Sequence, residues 1–439
     1  MEGKIMKYDF AISYETITRE YASITLLKKE LERRGYSVLV YQATALTPRI
    51  KAEVVVKHSF YNDDDFKFIY YVFGKNQKIL NLRWEEIFPK GSTETAKYLP
   101  KESAVKISHL AWGAREKEDL IQAGVEEKKI ALTGAINLDF IRKPVFESKD
   151  RIALKYGLDG TKKWILFISS LNSQGGHRFK KTDKLYNPVV EAFVELSGET
   201  RKEMLVWFEK ALKQYDDIEL IYRPHPEELR QEIEDSFSDD VADRFHIISE
   251  LDIAQWIYIS DKVYNWNSTS GIQSYMLGKG LDFLCPIEIP DFLQYEMYDS
   301  CKKIKDVNDF LNDIISENKN ERNDVLESFY LTDNGFAYEK VADYLEYLYN
   351  QPKDFDGINY DEVLSFRPKI EIIRNRFFRN FFVFMSKASM KSNLLKPLHR
   401  IFRLDYRPME RRNIITDEKI KYYEDYVEKF LAAQVKNDG

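Results

Sequence analysis

The chain has 439 residues, 44% of them apolar and 31% charged, with a formal net charge of −6, a balance that excludes a disordered polyelectrolyte and argues against a general nucleic-acid binder. At ~100–200 residues per domain, the length calls for two domains and an appendage. Cys285 and Cys301 are the only cysteines, which excludes a disulfide framework and a CxxC metal spacing. No stretch reaches the ~20 apolar residues needed to cross a bilayer, so a cytoplasmic protein without a spanning helix is expected.

In chain order, residues 8–42, "YDFAISYETITREYASITLLKKELERRGYSVLVYQ", read as a strand, a loop, an amphipathic helix ended by Gly35 and a second β-branched strand. The loop after "ISYE" has neither GxGxxG nor the P-loop pattern, which tells against dinucleotide and Walker cradles. It carries Glu15, Arg19 and Glu20 around a strand end, where a carboxylate can take a proton from an acceptor hydroxyl. The helix dipole draws acidic residues to the same place for structural reasons. Further apolar runs, "AEVVVKH", "FKFIYYVF" and "KIALTG", extend this start into one parallel α/β sheet over the first 140 or so residues. "YNDDDF" at 61–66 reads as a solvated loop, since no second acidic cluster accompanies it to hold a metal. Trp84, Glu85 and Glu86 suit a cleft wall and a core equally.

The charged segment 141–163, with Pro144 and two glycines, precedes a fresh strand, "WILFISS", and marks a domain boundary near residue 150. The polar loop "SSLNSQGGHRFKK" follows, carrying Ser170 and Asn172 and expected at an interdomain cleft. A helix at about 188–214, the strand "IELIYR", a helix from Pro226, the strands "FHIIS" and "KVYNW" and a helix from about Ser270 make a second alternating α/β unit. It spans 151–350 after a first domain of 1–150.

Two turns in the second unit suit phosphate. In "IYRPHPEE", Pro226 fits a first helical position and holds His225 extended at the helix cap. In a doubly wound sheet such strand ends face the ligand crevice. An imidazole there can donate to a phosphate oxygen or protonate a leaving phosphate, and Arg223 can add charge-assisted contacts. A stiff strand-to-helix turn has the same sequence. In "NWNSTSGIQSYMLGKG", Asn267, Ser268, Thr269, Ser270 and Gly271 offer hydroxyls and backbone N–H groups at a helix start, with the glycine allowing close approach. Ordinary N-capping accounts for the serines and threonine equally well. His58, His109, His177, His246 and His399 show no ligand spacing, and no metal is expected.

From about 351 the character changes. Residues 367–412 hold thirteen Lys and Arg against Glu371, Asp405 and Glu410, a net of +10 that leaves −16 on the rest of the chain. Aromatic and aliphatic residues interleave with these charges, as in a helix lying on an anionic membrane surface. An amphipathic helix closing the fold has the same pattern. The 351–439 segment is therefore a basic, aromatic helical extension.

Taken together, "YETITRE" with "LLKKELERRGYSV", "SHLAWGAREKEDLIQAGVEEKKIALTGAINLD", "YRPHPEE" and "NSTSGIQSYMLGKG" resemble the bacterial surface carbohydrate (capsule and lipopolysaccharide) biosynthesis proteins, distant relatives of capsule Kdo transferases. The order of these fragments covers roughly residues 8–282; "LTGAINLD" departs from the more usual Gly-Asn-Pro style of turn. The resemblance implies a GT-B glycosyltransferase, α/β with two Rossmann-like domains facing an interdomain cleft, with no cofactor and no obligatory metal. It implies that a nucleotide-sugar, CMP-linked in one option, lies on the second domain, with His225, Ser268, Thr269 and Ser270 at its phosphates. It implies an oligosaccharide or lipid-linked acceptor on the first domain, with Glu15 or Glu20 as base, and a basic tail against the inner membrane. "KIALTGAINLD" also resembles nucleotide-sugar 2-epimerases. A glycerol-phosphate transferase and a non-catalytic assembly scaffold remain as alternatives.

Overall fold

The computed structural model describes residues 7–14, 17–42, 50–83, 99–171, 188–225, 228, 230, 233, 237, 238, 240–291, 293–317, 323–331, 333, 335–364 and 417–435. They form two compact units, residues 144–327 making the second and the described residues before and after it the first.

The first unit begins with β1 (Lys7–Tyr14), α1 (Ile17–Arg33), β2 (Val38–Gln42) and β3 (Lys51–Lys57). The first helix stops where the sequence says it should: Gly35 has φ +94°, its N–H donates to Glu32 O, and Tyr36 N donates to Leu31 O, the paired bonds of a left-handed glycine cap. Next come α2 (Asp65–Val72), β4 (Lys78–Asn81), β5 (Ser108–Ala111), α3 (Ala114–Gln122), β6 (Ile130–Leu132) and α4 (Ile136–Arg142). All six strands are parallel, in the order β2-β1-β3-β4-β5-β6. Phe10, Ile12 and Val54–Val56 are fully buried, because a parallel sheet covered on both faces reads as a continuous apolar run rather than an alternating one.

One expected strand is a helix. "FKFIYYVF" buries Phe66, Ile69 and Val72, a three-residue spacing that puts one stripe on one face. The acidic "DDD" starts that helix: Asp65 accepts from the backbone N–H of Tyr61 (2.7 Å) and Asn62 (3.2 Å), so these carboxylates are turn and cap groups. The sheet is completed instead by β4 and β5, four residues each, too short to stand out as apolar runs.

The second unit contains α5 (Lys149–Tyr156), β7 (Lys163–Ser169), α6 (Pro188–Gln214), β8 (Ile218–Arg223), β9 (Phe245–Ile247), α7 (Ile253–Ile259) and β10 (Lys262–Trp266). It continues with α8 (Gly271–Met276), β11 (Asp282–Leu284), β12 (Lys303–Ile304), α9 (Val307–Ile314) and α10 (Asp324–Phe329), the last running into the first unit. Its sheet is also parallel, ordered β12-β11-β10-β7-β8-β9. Trp164, Leu166, Ile168, Ile221, Trp256 and Val263 share one core cluster. The helix expected from Pro226 falls largely outside the described residues.

The chain then returns to the first unit with α11 (Ala337–Tyr349), α12 (Tyr360–Val363) and α13 (Asp417–Val435). This differs from the expected division at residue 350. Asp139, on α4, caps α11 by accepting from Ala337 N and Tyr338 N, 2.8 Å each. Arg34 reaches Asp343 at 2.7 Å and Glu346 at 2.5 Å, and Tyr349 packs on Phe10 and Tyr36. Lys78 donates to the carbonyls of Tyr349 and Gln351. Position along the chain carries no sign of such a return; the partners on α1, α4 and β4 do.

The last helix is fastened to the same unit. Phe430 meets Phe140 at 4.9 Å, Tyr423 meets Tyr21 at 5.6 Å, and Lys29 pairs with Glu428 at 2.9 Å. The basic, aromatic segment 367–412 lies outside the described residues. No helix among the described residues is long and apolar enough to cross a membrane.

Candidate functional site

In the second sheet the strand order reverses between β7 and β10: β8 and β9 are added on one side of β7, β10 to β12 on the other. Open parallel sheets bind ligands at the carboxyl ends of the strands flanking such a point. The register aligns those ends, since Ile168 pairs with Arg223 and Ser169 with Trp266. By that register the "RPHP" turn and the "NSTSG" turn leave the sheet on either side of β7, roughly 10 Å apart at ~4.8 Å per strand.

The Arg223–His225 stretch is held from beneath by a buried carboxylate. His225 N–H donates to Glu228 Oε2 at 3.1 Å, and Glu228 N–H donates back to His225 O at 2.9 Å, a reciprocal pair like a capping box. Oε2 also accepts from Ser169 Oγ at 2.8 Å, while Oε1 accepts from Tyr222 Oη at 2.6 Å and Arg201 Nε at 2.7 Å. Burial raises the Glu228 pKa, opposed by the Arg201 guanidinium and these donors; burial and the adjacent carboxylate push the Tyr222 phenol well up. The result places a half-buried His225 at the end of β8 with its backbone fixed.

Arg223 is engaged elsewhere. Its terminal nitrogens donate to the carbonyls of Ile248 (3.3 Å), Glu250 (2.6 Å) and Leu251 (2.7 Å), so its guanidinium binds the segment after β9. Leu251 there has φ +61°, an uncommon backbone for a bulky residue, and the arginine fork supports it.

On the other side of β7, Asn267 takes φ +46°, a region that asparagine tolerates. Its side chain donates to Leu293 O at 2.8 Å and accepts from Tyr295 N at 3.0 Å, so it ties the turn to a neighbouring loop. Ser268 is buried; its Oγ accepts from Ser270 N at 3.3 Å, and its carbonyl accepts from Tyr298 Oη at 2.6 Å. Thr269 and Ser270 are half-buried, and their hydroxyls make no hydrogen bond among the described residues. A Cβ on Gly271 would meet Leu281 Cδ1 at 2.5 Å and Tyr298 Oη at 2.7 Å. Packing behind the turn therefore favours glycine, since any side chain there would push the ends of Leu281 and Tyr298 aside. The helix it opens, α8, is only six residues long, so the turn's hydroxyls and N–H groups matter more than a macrodipole.

Of the remaining expected residues, Glu15, Glu85 and Asn172 lie outside the described residues. Arg19 is exposed on α1 and Glu20 is buried on it; burial, with Tyr21 and Glu20 alongside, raises Tyr14 to about 12. Ser170 is half-buried just after β7.

The first unit also carries a polar layer at its strand ends that sequence reasoning missed. Ser13 Oγ accepts from His58 N at 3.1 Å and is hydrogen-bonded to His58 Nδ1 at 2.9 Å. Asn81 Nδ2 donates to His109 Nδ1 at 3.3 Å, whose Nε2 donates to Ala104 O at 2.9 Å. Burial lowers His58 well below its usual value and His109 to about 3, so both stay neutral and serve as hydrogen-bonding groups. Arg83, with φ +50°, is buried against Glu116, whose other oxygen accepts from Trp112 N. A buried ion pair on a positive-φ residue beside a strand end is a candidate site group; the 28–45-residue separations within these pairs hid them in the sequence. Among the described residues no group of three or more His, Cys, Asp or Glu is placed to hold a metal ion.

No protein-family model matches the chain, and no curated protein matches it. Solved structures do. A variant of the wall teichoic acid polymerase TagF aligns at TM-score 0.52 and 14% identity, over 79% of this chain and 90% of its own. TagF soaked with CDPG aligns at 0.51 and 12%, over 80% and 91%. A putative UDP-N-acetylglucosamine 2-epimerase from Listeria monocytogenes aligns at 0.49 and 14%, over 79% and 98%, too remote to argue from. The likeness to TagF, with two parallel six-stranded sheets flanked by helices, makes the fold GT-B.

Proposed function

We propose that the protein is a glycosyltransferase whose second unit holds a nucleotide-sugar at the carboxyl ends of β7, β8 and β10. The observation that carries this reading is the placement of His225 and the Thr269–Ser270 hydroxyls on either side of β7, where the strand order reverses. TagF, a wall teichoic acid polymerase studied with CDPG, shares the fold and lends support to a nucleotide-activated donor. A CMP-linked sugar and a capsule or lipopolysaccharide acceptor, oligosaccharide or lipid-linked, are the finer form of the proposal.

In this reading Glu15 or Glu20 removes the proton of an acceptor hydroxyl, with Arg19, Glu85, Ser170 and Asn172 as acceptor contacts. The hydroxyl oxygen attacks the anomeric carbon, the bond from that carbon to the donor phosphate breaks, and its electron pair leaves with the nucleotide. His225, Ser268 through its backbone, Thr269 and Ser270 donate to the charge that grows on the departing phosphate. Arg223, spent on carbonyls, and Asn267, spent on the 293–295 segment, shape the two turns.

Calorimetric titration and thermal shift with CMP, CDP, UDP and GDP test this. One nucleotide should stabilise the wild type, and His225→Ala should weaken its binding about ten-fold, the ~1.4 kcal/mol of one charge-assisted hydrogen bond. Stabilisation by none of the four would overturn the reading in favour of an assembly scaffold. With the nucleotide known, assays of sugar transfer, 2-epimerisation and glycerol-phosphate transfer separate the reactions.

The +10 of residues 367–412 supports adsorption to the anionic inner face of the membrane. Because Val427 and Phe430 of α13 are buried in the first unit, truncation would damage the fold, so charge reversal is the cleaner test. Arg374→Glu, Arg376→Glu and Arg379→Glu together should abolish flotation with anionic liposomes, and undiminished flotation would sink the idea.

A further inference from the structure

One buried, heavily bonded side chain at the carboxyl end of the second sheet is left unused by the proposed chemistry. Glu228 accepts from four groups on four different parts of the unit: Ser169 at the end of β7, Tyr222 in β8, Arg201 on α6 and the backbone of His225. A helix cap alone needs only the last of these. Ser169 Oγ in turn accepts from Leu171 N at 3.1 Å, so the same carboxylate sets the direction in which the chain leaves β7 as well as β8. Arg201, itself almost fully buried, neutralises it, so an anion bound above the turn meets fixed dipoles rather than a bare negative charge.

We propose that Glu228 is a positioning residue that sets His225 and the Ser169–Leu171 segment against the phosphate groups of a bound nucleotide. The proposal rests on the donor-site reading above. Charge and reach are both required. Glutamine at 228 offers a single acceptor oxygen, turns an amide donor toward groups that all donate to the carboxylate, and removes the negative charge that faces Arg201. Aspartate keeps the charge and is one methylene short.

The test is a double-mutant cycle read on two observables, with the nucleotide of the CMP, CDP, UDP and GDP panel that binds the wild type. Glu228→Gln should weaken binding about ten-fold in the wild-type background and less than two-fold in His225→Ala, while lowering the melting temperature equally in both. Glu228→Asp should recover part of the affinity. Should Glu228→Gln fail to fold, Ser169→Ala removes one partner of the carboxylate, and its smaller loss, about two- to three-fold, should likewise vanish in His225→Ala. Losses that multiply independently of residue 225, or binding untouched by either substitution, would overturn the positioning role while leaving the donor site standing. A wild type that binds none of the four nucleotides would overturn both.

Discussion

Arg223 and His225 leave the same strand two residues apart, and their side chains do different work. The planar guanidinium matches three carbonyls on the 248–251 segment, a geometry that lysine does not reproduce. Arg223→Lys should therefore lower stability by about 1–2 kcal/mol, the loss of charge-assisted bonds to partly buried carbonyls, and change nucleotide affinity less than His225→Ala does; comparing melting and titration of the two variants checks this. Asp356 makes a second residue-scale case. It is buried, accepts from Ile79 N at 2.8 Å, and burial raises its pKa to about 7, above the ~3.9 of an unfolded aspartate. The folded protein then binds more protons than the unfolded chain between these values. The stabilising contribution is full below pH ~4 and lost as pH rises through about 7. Asp356→Asn should flatten the fall in melting temperature between pH 5 and pH 8, and an unchanged fall would contradict the assignment.

At the scale of elements, "LTGAINLD", which departs from the Gly-Asn-Pro style of turn, carries an attachment point. Asp139, its last residue, spends both carboxylate oxygens on the first N–H groups of α11. Asp139→Ala leaves two buried donors unmet, and a loss of about 1–3 kcal/mol follows. Hydrogen exchange should show the amides of 337–349 losing protection first. A second contact between elements depends on glycine: a Cβ at Gly113, which precedes α3, would run into the backbone of Ser328 and Phe329, so Gly113→Ala should destabilise the first unit by forcing that backbone away. In the second unit, Lys262 at the foot of β10 is buried with Asp313 at 3.0 Å and Asp282 at 3.5 Å, and Lys302 also pairs with Asp313. Lys262→Ala strips one cation from two buried carboxylates and should cost about 3–5 kcal/mol in denaturant unfolding.

For the whole molecule, the two units are each closed by their own core, and α13 belongs to the first. Phe430 is fully buried and meets Phe140 and Phe336; Phe430→Ala should cost about 3–5 kcal/mol in a melting transition assigned to that unit. Much of the architecture was legible. The long apolar strands, Phe10–Ser13 and Trp164–Ile168, the cap at Gly35 and the helix 188–214 depend on local periodicity, so they could be read before folding. The short strands β4 and β5 and the helical run 66–72 were not, because four residues carry little pattern and an apolar octapeptide suits either period. Of the candidate site, His225 and the serine-rich turn were visible through proline and hydroxyl placement. Glu228, Arg201, Arg83 and Glu116 were not, since a buried ion pair is defined by partners tens of residues away. The sequence by itself determined an alternating α/β chain with phosphate-compatible turns, because propensity, capping and apolar period are local. Only the tertiary structure decided that 337–364 returns to the first sheet, that Arg223 faces carbonyls and that a buried glutamate holds His225, because each depends on which distant groups share one desolvated space.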